Sequence, residues 1–264
     1  LATFPVGFQT GKTYEVFASG IVGNGATPFT LVVDPNAKET GTAGVVTAAV
    51  LHGAPGAPAV DVDAVFIANN LIGNLAYGSY TSYLNLSPQK YDLAIRANGS
   101  PDVVASFRAD LSGLDGQSAY VFASGILGGA PAFGLFAVLS NGTVVEFPAT
   151  PTARLQIIHN SPDPTVDVYA GNTKLLDEFE FRSATPFIDV PADIDIDLGV
   201  APANSTGPAD AIFNTTVNFE SGKTYAAFAS GIVFNGATPF TILADAAIES
   251  AVNPAKIEFA TLHG

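Results

Sequence analysis

Between Arg154 and His159 the chain alternates: Leu155, Ile157 and His159 fall on one side, and Arg154, Gln156 and Ile158 on the other. A period of two is that of a β-strand with one face in a core. The run Asp193-Ile194-Asp195-Ile196-Asp197-Leu198 alternates strictly and predicts a strand with Ile inward and Asp outward. Its counterpart is Tyr91-Asp92-Leu93-Ala94-Ile95-Arg96. Turn clusters break the pattern at Asn160-Ser161-Pro162-Asp163-Pro164 and Ala170-Gly171-Asn172. Further strands are predicted over 166–169, 174–181, 187–190, 212–219, 224–233 and 240–245, with Glu220-Ser221-Gly222-Lys223 as a hairpin connection. Seven or eight short strands in roughly 100 residues predict an all-β fold of the immunoglobulin-like sandwich type, lacking that fold's disulfide and core Trp.

The pattern recurs. Phe17-Ala18-Ser19-Gly20-Ile21 returns as Phe122-Ala123-Ser124-Gly125-Ile126 and as Phe228-Ala229-Ser230-Gly231-Ile232, at spacings of 105 and 106 residues. Asn24-Gly25-Ala26-Thr27-Pro28-Phe29 returns as Asn235-Gly236-Ala237-Thr238-Pro239-Phe240. Val50-Leu51-His52-Gly53 matches Ile157-Ile158-His159-Asn160 and Thr261-Leu262-His263-Gly264, so all three His residues share one repeat position. Such self-similarity is the mark of a tandem array. The expected organisation is a partial copy of late strands at 1–43, full sandwich copies at 46–149 and 152–250, and an opening strand of a further copy at 254–264. The linkers Gly41-Thr42-Ala43-Gly44 and Pro148-Ala149-Thr150-Pro151 are short and favour a stiff rod.

Charged residues make up 13% of the chain, and the net charge is −14. That balance argues against nucleic acid, whose phosphates need Lys and Arg. No apolar run approaches the ~18 residues of a membrane helix, so no membrane insertion is expected. Without Cys there is no disulfide, thiol nucleophile or zinc–thiolate site. The chain also lacks Met and begins at Leu1, so it reads as processed or as a window on a longer protein. The loss of both oxidisable sulfur side chains suits an extracellular or cell-surface location.

The run Ala153-Arg154-Leu155-Gln156-Ile157-Ile158-His159-Asn160-Ser161-Pro162-Asp163-Pro164-Thr165-Val166-Asp167-Val168-Tyr169 resembles the opening of a bacterial family, Domain of Unknown Function 4397. Its members open with a similar strand, His, Ser-Pro-Asp and Val-Asp-Val-Tyr, and end with a Gly-Lys-x-Tyr turn, as Gly222-Lys223-Thr224-Tyr225 does here. The middle copy departs, with Gly53-Ala54-Pro55-Gly56-Ala57-Pro58 and Asp115-Gly116-Gln117-Ser118 at these points. The resemblance implies a secreted or surface sandwich module, used in tandem and without catalytic residues.

Each candidate site reads structurally as well as functionally. A His that recurs beside a Pro turn in every copy fits a loop-fixing hydrogen bond better than a catalytic base, which needs a nucleophile and an orienting group. The repeated Ser19, Ser124 and Ser230 lack a Gly-x-Ser-x-Gly elbow and fit close sheet packing. No enzyme and no cofactor are expected. A weak Ca²⁺ option rests on Asp61 with Asp63, Asp163 with Asp167, and the Asp193, Asp195, Asp197 row, none with calcium-loop spacing. Sequons at Asn85, Asn98, Asn141, Asn204 and Asn214 are candidate glycosylation sites. Tyr77, Tyr80 and Tyr83 supply aromatic surface either for a polysaccharide or for covering a sheet edge.

The partial copies suggest an assembly. Late strands near the N-terminus lack early partners, and an early strand near the C-terminus lacks its domain. The expected partner is a second copy of the chain, joined head-to-tail, with Lys256, Ile257, Phe259, Thr261 and Leu262 as the subunit-contact strand. A heterologous contact of this kind builds an open filament. The composite domain would lack a copy's middle strands. The rival expectation is a segment of a longer surface adhesin or stalk, with glycans as ligands.

Overall fold

The computed structural model describes residues 3–246. The chain divides into two compact units: Leu1–Val65 with Asn70–Ala149, and Phe66–Asn69 with Thr150–Gly264.

Unit 1 begins with a hairpin, β1 (Glu15–Ser19) and β2 (Thr30–Asp34). Then come β3 (Val46–His52), β4 (Val60–Ala64), β5 (Ala68–Leu75), β6 (Leu84–Leu86), β7 (Lys90–Ala97), β8 (Val103–Asp110), β9 (Ser118–Ser124), β10 (Gly134–Leu139) and β11 (Val144–Phe147). They form two sheets, in the orders β11-β10-β9-β3-β6 and β5-β4-β7-β8. Val46, Ala48 and Val50 of β3 and Ala119 and Val121 of β9 face Val62 and Leu93 of the second sheet across a dry interior. The buried valines among them, Val46, Val62 and Val121, each contribute about 1.5–3 kcal/mol.

Unit 2 repeats the plan with β12 (Thr152–His159), β13 (Val166–Ala170), β14 (Thr173–Phe179), β15 (Ile188–Pro191), β16 (Asp195–Pro202), β17 (Phe213–Asn218), β18 (Thr224–Ser230) and β19 (Thr241–Ala246). Its sheets run β15-β12-β18-β19 and β14-β13-β16-β17. Leu155, Val190, Ile196, Phe219 and Ala227 make one core cluster, and Val166, Val168, Val200 and Phe240 another.

In both units a strand near the start of the copy pairs in parallel with a strand near its end. Leu51 lies opposite Phe122 in the β3–β9 pair, and Ile158 opposite Phe228 in the β12–β18 pair. The other strand pairs with a described register are antiparallel. The parallel pairing joins the first strand of each copy to one near its end.

Two local expectations need correction. Glu220-Ser221-Gly222-Lys223 does not close a hairpin: β17 belongs to one sheet and β18 to the other, so the turn crosses the sandwich. Phe219, buried on one side of the turn, stacks on Tyr225 at 5.0 Å and holds the crossing shut. Asp193 stands outside β16 in a left-handed turn (φ 58), where its carboxylate accepts the Ser221 N–H at 3.1 Å. The short polar side chain of Asp tolerates that backbone region better than most. The 3₁₀ turn Pro208–Asp210 was not anticipated.

The glycine of the Phe-Ala-Ser-Gly motif has a steric reason. Gly20, Gly125 and Gly231 have φ of +86, +83 and +83, and a Cβ there would stand 2.1–2.2 Å from a carbonyl oxygen across the turn. Only glycine fits.

Candidate functional site

The β1–β2 hairpin lies on the outer face of the first sheet of unit 1, and the tyrosines of the middle copy receive it. Phe17 stands 5.0 Å from Tyr120 and 5.9 Å from Phe122, ring centre to ring centre. The Tyr120 hydroxyl donates to Asp34 Oδ2 at 2.5 Å, while the Asn36 N–H donates to Oδ1 at 2.8 Å. Tyr83 accepts the Lys38 N–H at 2.9 Å and carries the Lys38 ammonium 4.9 Å over its ring. Tyr77 and Ser19 share a hydroxyl contact at 3.2 Å, and Tyr80 reaches the Val33 carbonyl at 3.4 Å. Tyr77, Tyr80 and Tyr83 therefore cover the sheet beneath the hairpin, with their hydroxyls engaged.

Electrostatics follow from this enclosure. Asp34 is 4% exposed and depends on its two donors. Burial, then the bond to Asp34, pushes the Tyr120 phenol well above its ordinary value. Burial and the neighbouring Asp34 charge likewise raise the Glu15 carboxyl.

On the opposite face of the hairpin the β1 side chains are exposed, while Leu31 and Val33 of β2 are half-buried. Val16 and Ala18 correspond to Val121 and Ala123 of β9 and to Ala227 and Ala229 of β18. Val121 and Ala227 are buried inside their sandwiches, but Val16 is 42% exposed and Ala18 is exposed too. The edge of β1 differs too among the described residues. Among the described residues β1 pairs with β2 and no other strand, whereas β9 also carries β3, and β18 also carries β12. An unpaired edge beside an apolar face is a template for another strand.

The recurring polar residues serve their own copies. His52 and His159 are 2% and 1% exposed. Their Nε2 atoms lie 2.8 Å from the Pro58 carbonyl and 3.2 Å from the Pro164 carbonyl. A carbonyl can only accept, so Nε2 carries the proton. In unit 2 the Ser161 N–H completes the ring at Nδ1, at 3.3 Å. His52 Nδ1 has no partner among the described residues. Burial holds the His159 imidazole below its usual value, against the raising influence of the Pro164 carbonyl. Ser161 ties the same loop to the Gly231 carbonyl at 2.7 Å.

Most of the acidic candidates are already bonded; Asp163 is exposed in the turn, where its backbone carbonyl accepts the Ser161 hydroxyl at 3.3 Å. Asp61 accepts from Asn74 N–H, Asn98 Nδ2 and Gly99 N–H at 2.8–3.0 Å, led by Asn74, and its carboxyl falls to about 2. Asp63 takes Arg96 in a two-pronged pair at 2.8 and 3.0 Å, and Asp92 takes Arg108 at 2.8 Å on both prongs. Asp167, fully buried, holds Lys174 at 2.7 Å, the Glu178 N–H at 2.9 Å and the Ser205 hydroxyl. Burial pushes its carboxyl up, but these donors outweigh that and hold it below the ordinary value. Asp195 and Asp197 bond to Asn218 and Thr216 on the neighbouring strand rather than to one another. Among the described residues, no group of three or more His and carboxylate side chains is placed to hold a metal ion.

All five sequon asparagines are exposed. Asn141 sits in the β10–β11 turn with its Oδ1 taken by Thr143 N–H at 2.9 Å. Asn98 bonds to Asp61, Asn85 accepts from Thr47 at 3.4 Å, Asn204 precedes the Ser205 that bonds Asp167, and Asn214 lies in β17. Lys256, Ile257, Phe259, Thr261 and Leu262 lie outside the described residues.

Sequence reasoning missed the seated hairpin, although a signal was present. The outward positions of β3 are Thr47, Ala49 and Leu51, where β12 has Arg154, Gln156 and Ile158. β3 is buried along nearly its whole length, while β12 alternates. A strand covered on both faces loses its polar alternation.

A family profile described as "Domain of unknown function (DUF4397)" matches residues 46–141 and again 153–263. The chain belongs to this family. It carries two tandem copies of the DUF4397 domain, each an all-β unit of paired sheets. No curated protein matches the chain. A solved structure it resembles is titled "Alpha-glucan recognition by family 41 carbohydrate-binding modules from streptococcal virulence factors". The identity is 12%, the match covers 70% of this chain and 92% of that one, and the TM-score is 0.20.

Proposed function

We propose that this DUF4397 protein is a non-catalytic structural subunit of an extracellular filament or surface fibre, assembled head-to-tail by β-strand complementation. The observation that carries the reading is that β1, among the described residues, pairs only with β2 and leaves Val16 and Ala18 exposed, at the repeat position where β9 and β18 each hold a parallel strand. Main-chain hydrogen bonds supply affinity in strand addition, and alternate side chains supply specificity. Each bond contributes a net ~0.5–1.5 kcal/mol, so a strand added along the five residues of β1, with its buried apolar face, is sufficient for a durable joint. The seated hairpin gives the acceptor a rigid base through Phe17, Asp34 and Ser19.

The commitment of the recurring His and Asp residues to loop and strand hydrogen bonds supports an architectural role over a catalytic one. Absence of Cys and Met supports life outside the cell.

The test is assembly against concentration, followed by sedimentation and light scattering, with and without a synthetic peptide of residues 255–264 in excess. The reading predicts large species that the peptide shortens or disperses by capping β1. A chain that stays monodisperse at every concentration, unaffected by the peptide, would count against it.

A further inference from the structure

The connection between β10 and β11 is a tight loop at the tip of a hairpin. Gly142 N–H donates to the Leu139 carbonyl at 2.8 Å, and Leu139 N–H donates to the Thr143 carbonyl at 2.9 Å. Gly142 takes φ +84, the left-handed residue that closes a short hairpin loop. Residues 140–146 are all exposed. Asn141-Gly142-Thr143 in this loop is an acceptor sequon. The Thr143 N–H reaches back to Asn141 Oδ1 at 2.9 Å and closes an Asx turn. Among the described residues Asn141 Nδ2 and the Thr143 hydroxyl have no hydrogen-bond partner, and both residues stand at the exposed tip. We infer that Asn141 is the acceptor of an N-linked glycan, and that the folded chain presents it ahead of its four other sequons. This modification needs only the extracellular location of the filament reading, not the filament.

The chemistry asks for what this loop provides. An amide nitrogen is a weak nucleophile, because its lone pair is shared with the carbonyl. The hydrogen bond from Thr143 N–H draws electron density onto Oδ1 and makes the Nδ2 proton easier to lose. The donor is a polyprenyl diphosphate-linked oligosaccharide. Nδ2 bonds to its anomeric carbon, and the bond from that carbon to the diphosphate oxygen breaks. The diphosphate leaves with the electron pair, and one Nδ2 proton passes to a base of the transferase. The unpaired Thr143 hydroxyl is free for the enzyme to grip. A competing fate of an Asn-Gly pair is deamidation, in which the glycine nitrogen attacks the asparagine side chain. Here the Gly142 N–H is held by the Leu139 carbonyl, which opposes that rotation.

The other four sequons each lack part of this arrangement. Asn98 spends Nδ2 on Asp61 at 2.9 Å. Asn204 has its Thr206 hydroxyl donated to Asp210 at 3.0 Å. Asn214 lies in β17 opposite Gly199 of β16, and its Thr216 hydroxyl goes to Asp197 at 2.8 Å. Asn85 lies in β6 opposite Thr47 of β3, whose hydroxyl donates to its Oδ1 at 3.4 Å. A residue held in a ladder cannot fold into the turn that an acceptor needs.

The test is peptide mapping by mass spectrometry of the chain recovered from outside its source cells. Cleavage after Asp and Glu puts each sequon on its own peptide, with Asn141 on residues 116–146. The expected result is an intact glycopeptide at 116–146, with occupancy roughly fivefold or more above each of the other four sites. Thr143→Ala should abolish it and Thr143→Ser should restore it; near-ultraviolet circular dichroism checks that both variants fold. A bare Asn141, Asp in its place, a glycan that survives Thr143→Ala, or equal occupancy at all five sites overturns the inference. Filaments formed by chain with a bare Asn141 leave the filament reading standing. Chain found only inside the cells overturns the extracellular location along with the glycan.

Discussion

Replacing Tyr120 by Phe removes one hydroxyl and leaves the Asp34 carboxylate short of a donor in a site where it is 4% exposed. The lost contact is the 2.5 Å bond from the phenol to Oδ2; the Asn36 N–H on Oδ1 remains. A buried acceptor left unsatisfied costs about 1–3 kcal/mol, toward the upper end when charged. For a unit of this size, about 2–3 kcal/mol lowers the melting temperature by roughly 5–10 °C. The assay is a thermal melt followed by tyrosine circular dichroism. It reports mainly unit 1, which holds Tyr14, Tyr77, Tyr80, Tyr83, Tyr91 and Tyr120, whereas Tyr169 and Tyr225 lie in unit 2. Adding Asp34→Asn removes the stranded charge, and the double variant should recover part of the loss. The pH dependence has a definite sign. The folded-state phenol is raised, so its contribution is fully present below the unfolded value of about 10 and is lost as pH climbs above it. The wild-type midpoint should therefore fall faster above pH ~10 than that of Tyr120→Phe. A midpoint within 1 °C of wild type at neutral pH, and parallel alkaline curves, would refute the claim that this bond anchors the hairpin.

Three further changes test the account elsewhere. His159 is held neutral by burial, so the unfolded state binds a proton it does not; unit 2 should keep full stability above pH ~6.5 and lose it below, and His159→Gln should flatten that slope in denaturant melts. Phe234 holds φ 61 at 90% exposure where the other copies have Gly23 and Gly128, so Phe234→Gly should raise stability by about 1 kcal/mol in the same melts. Gly125→Ala places a Cβ 2.1 Å from the Ala132 carbonyl in a left-handed turn and should cost about 3 kcal/mol, read as a drop in denaturation midpoint.

Much of the fold was legible because each copy is built from short strands with a period of two. All eight strands of the copy beginning at Ala153 appear, differing by a few residues at their ends. The Glu220–Lys223 turn was misread because a four-residue turn looks alike whether it closes a hairpin or crosses a sandwich; the burial of Phe219 decides, and that is a tertiary fact. The pairing of Asp63 with Arg96 joins residues 33 apart, and the pairing of Tyr120 with Asp34 joins residues 86 apart. Local pattern carries no trace of either. The contrast of Thr47, Ala49 and Leu51 with Arg154, Gln156 and Ile158 did carry the covered face, but only in a comparison of the two copies position by position.

Strand complementation at β1 is tested most directly by electron microscopy of the full chain beside a variant lacking residues 255–264. The account predicts filaments from the full chain and isolated particles from the deletion. Isolated particles from both, or filaments that persist in the deletion, would contradict it.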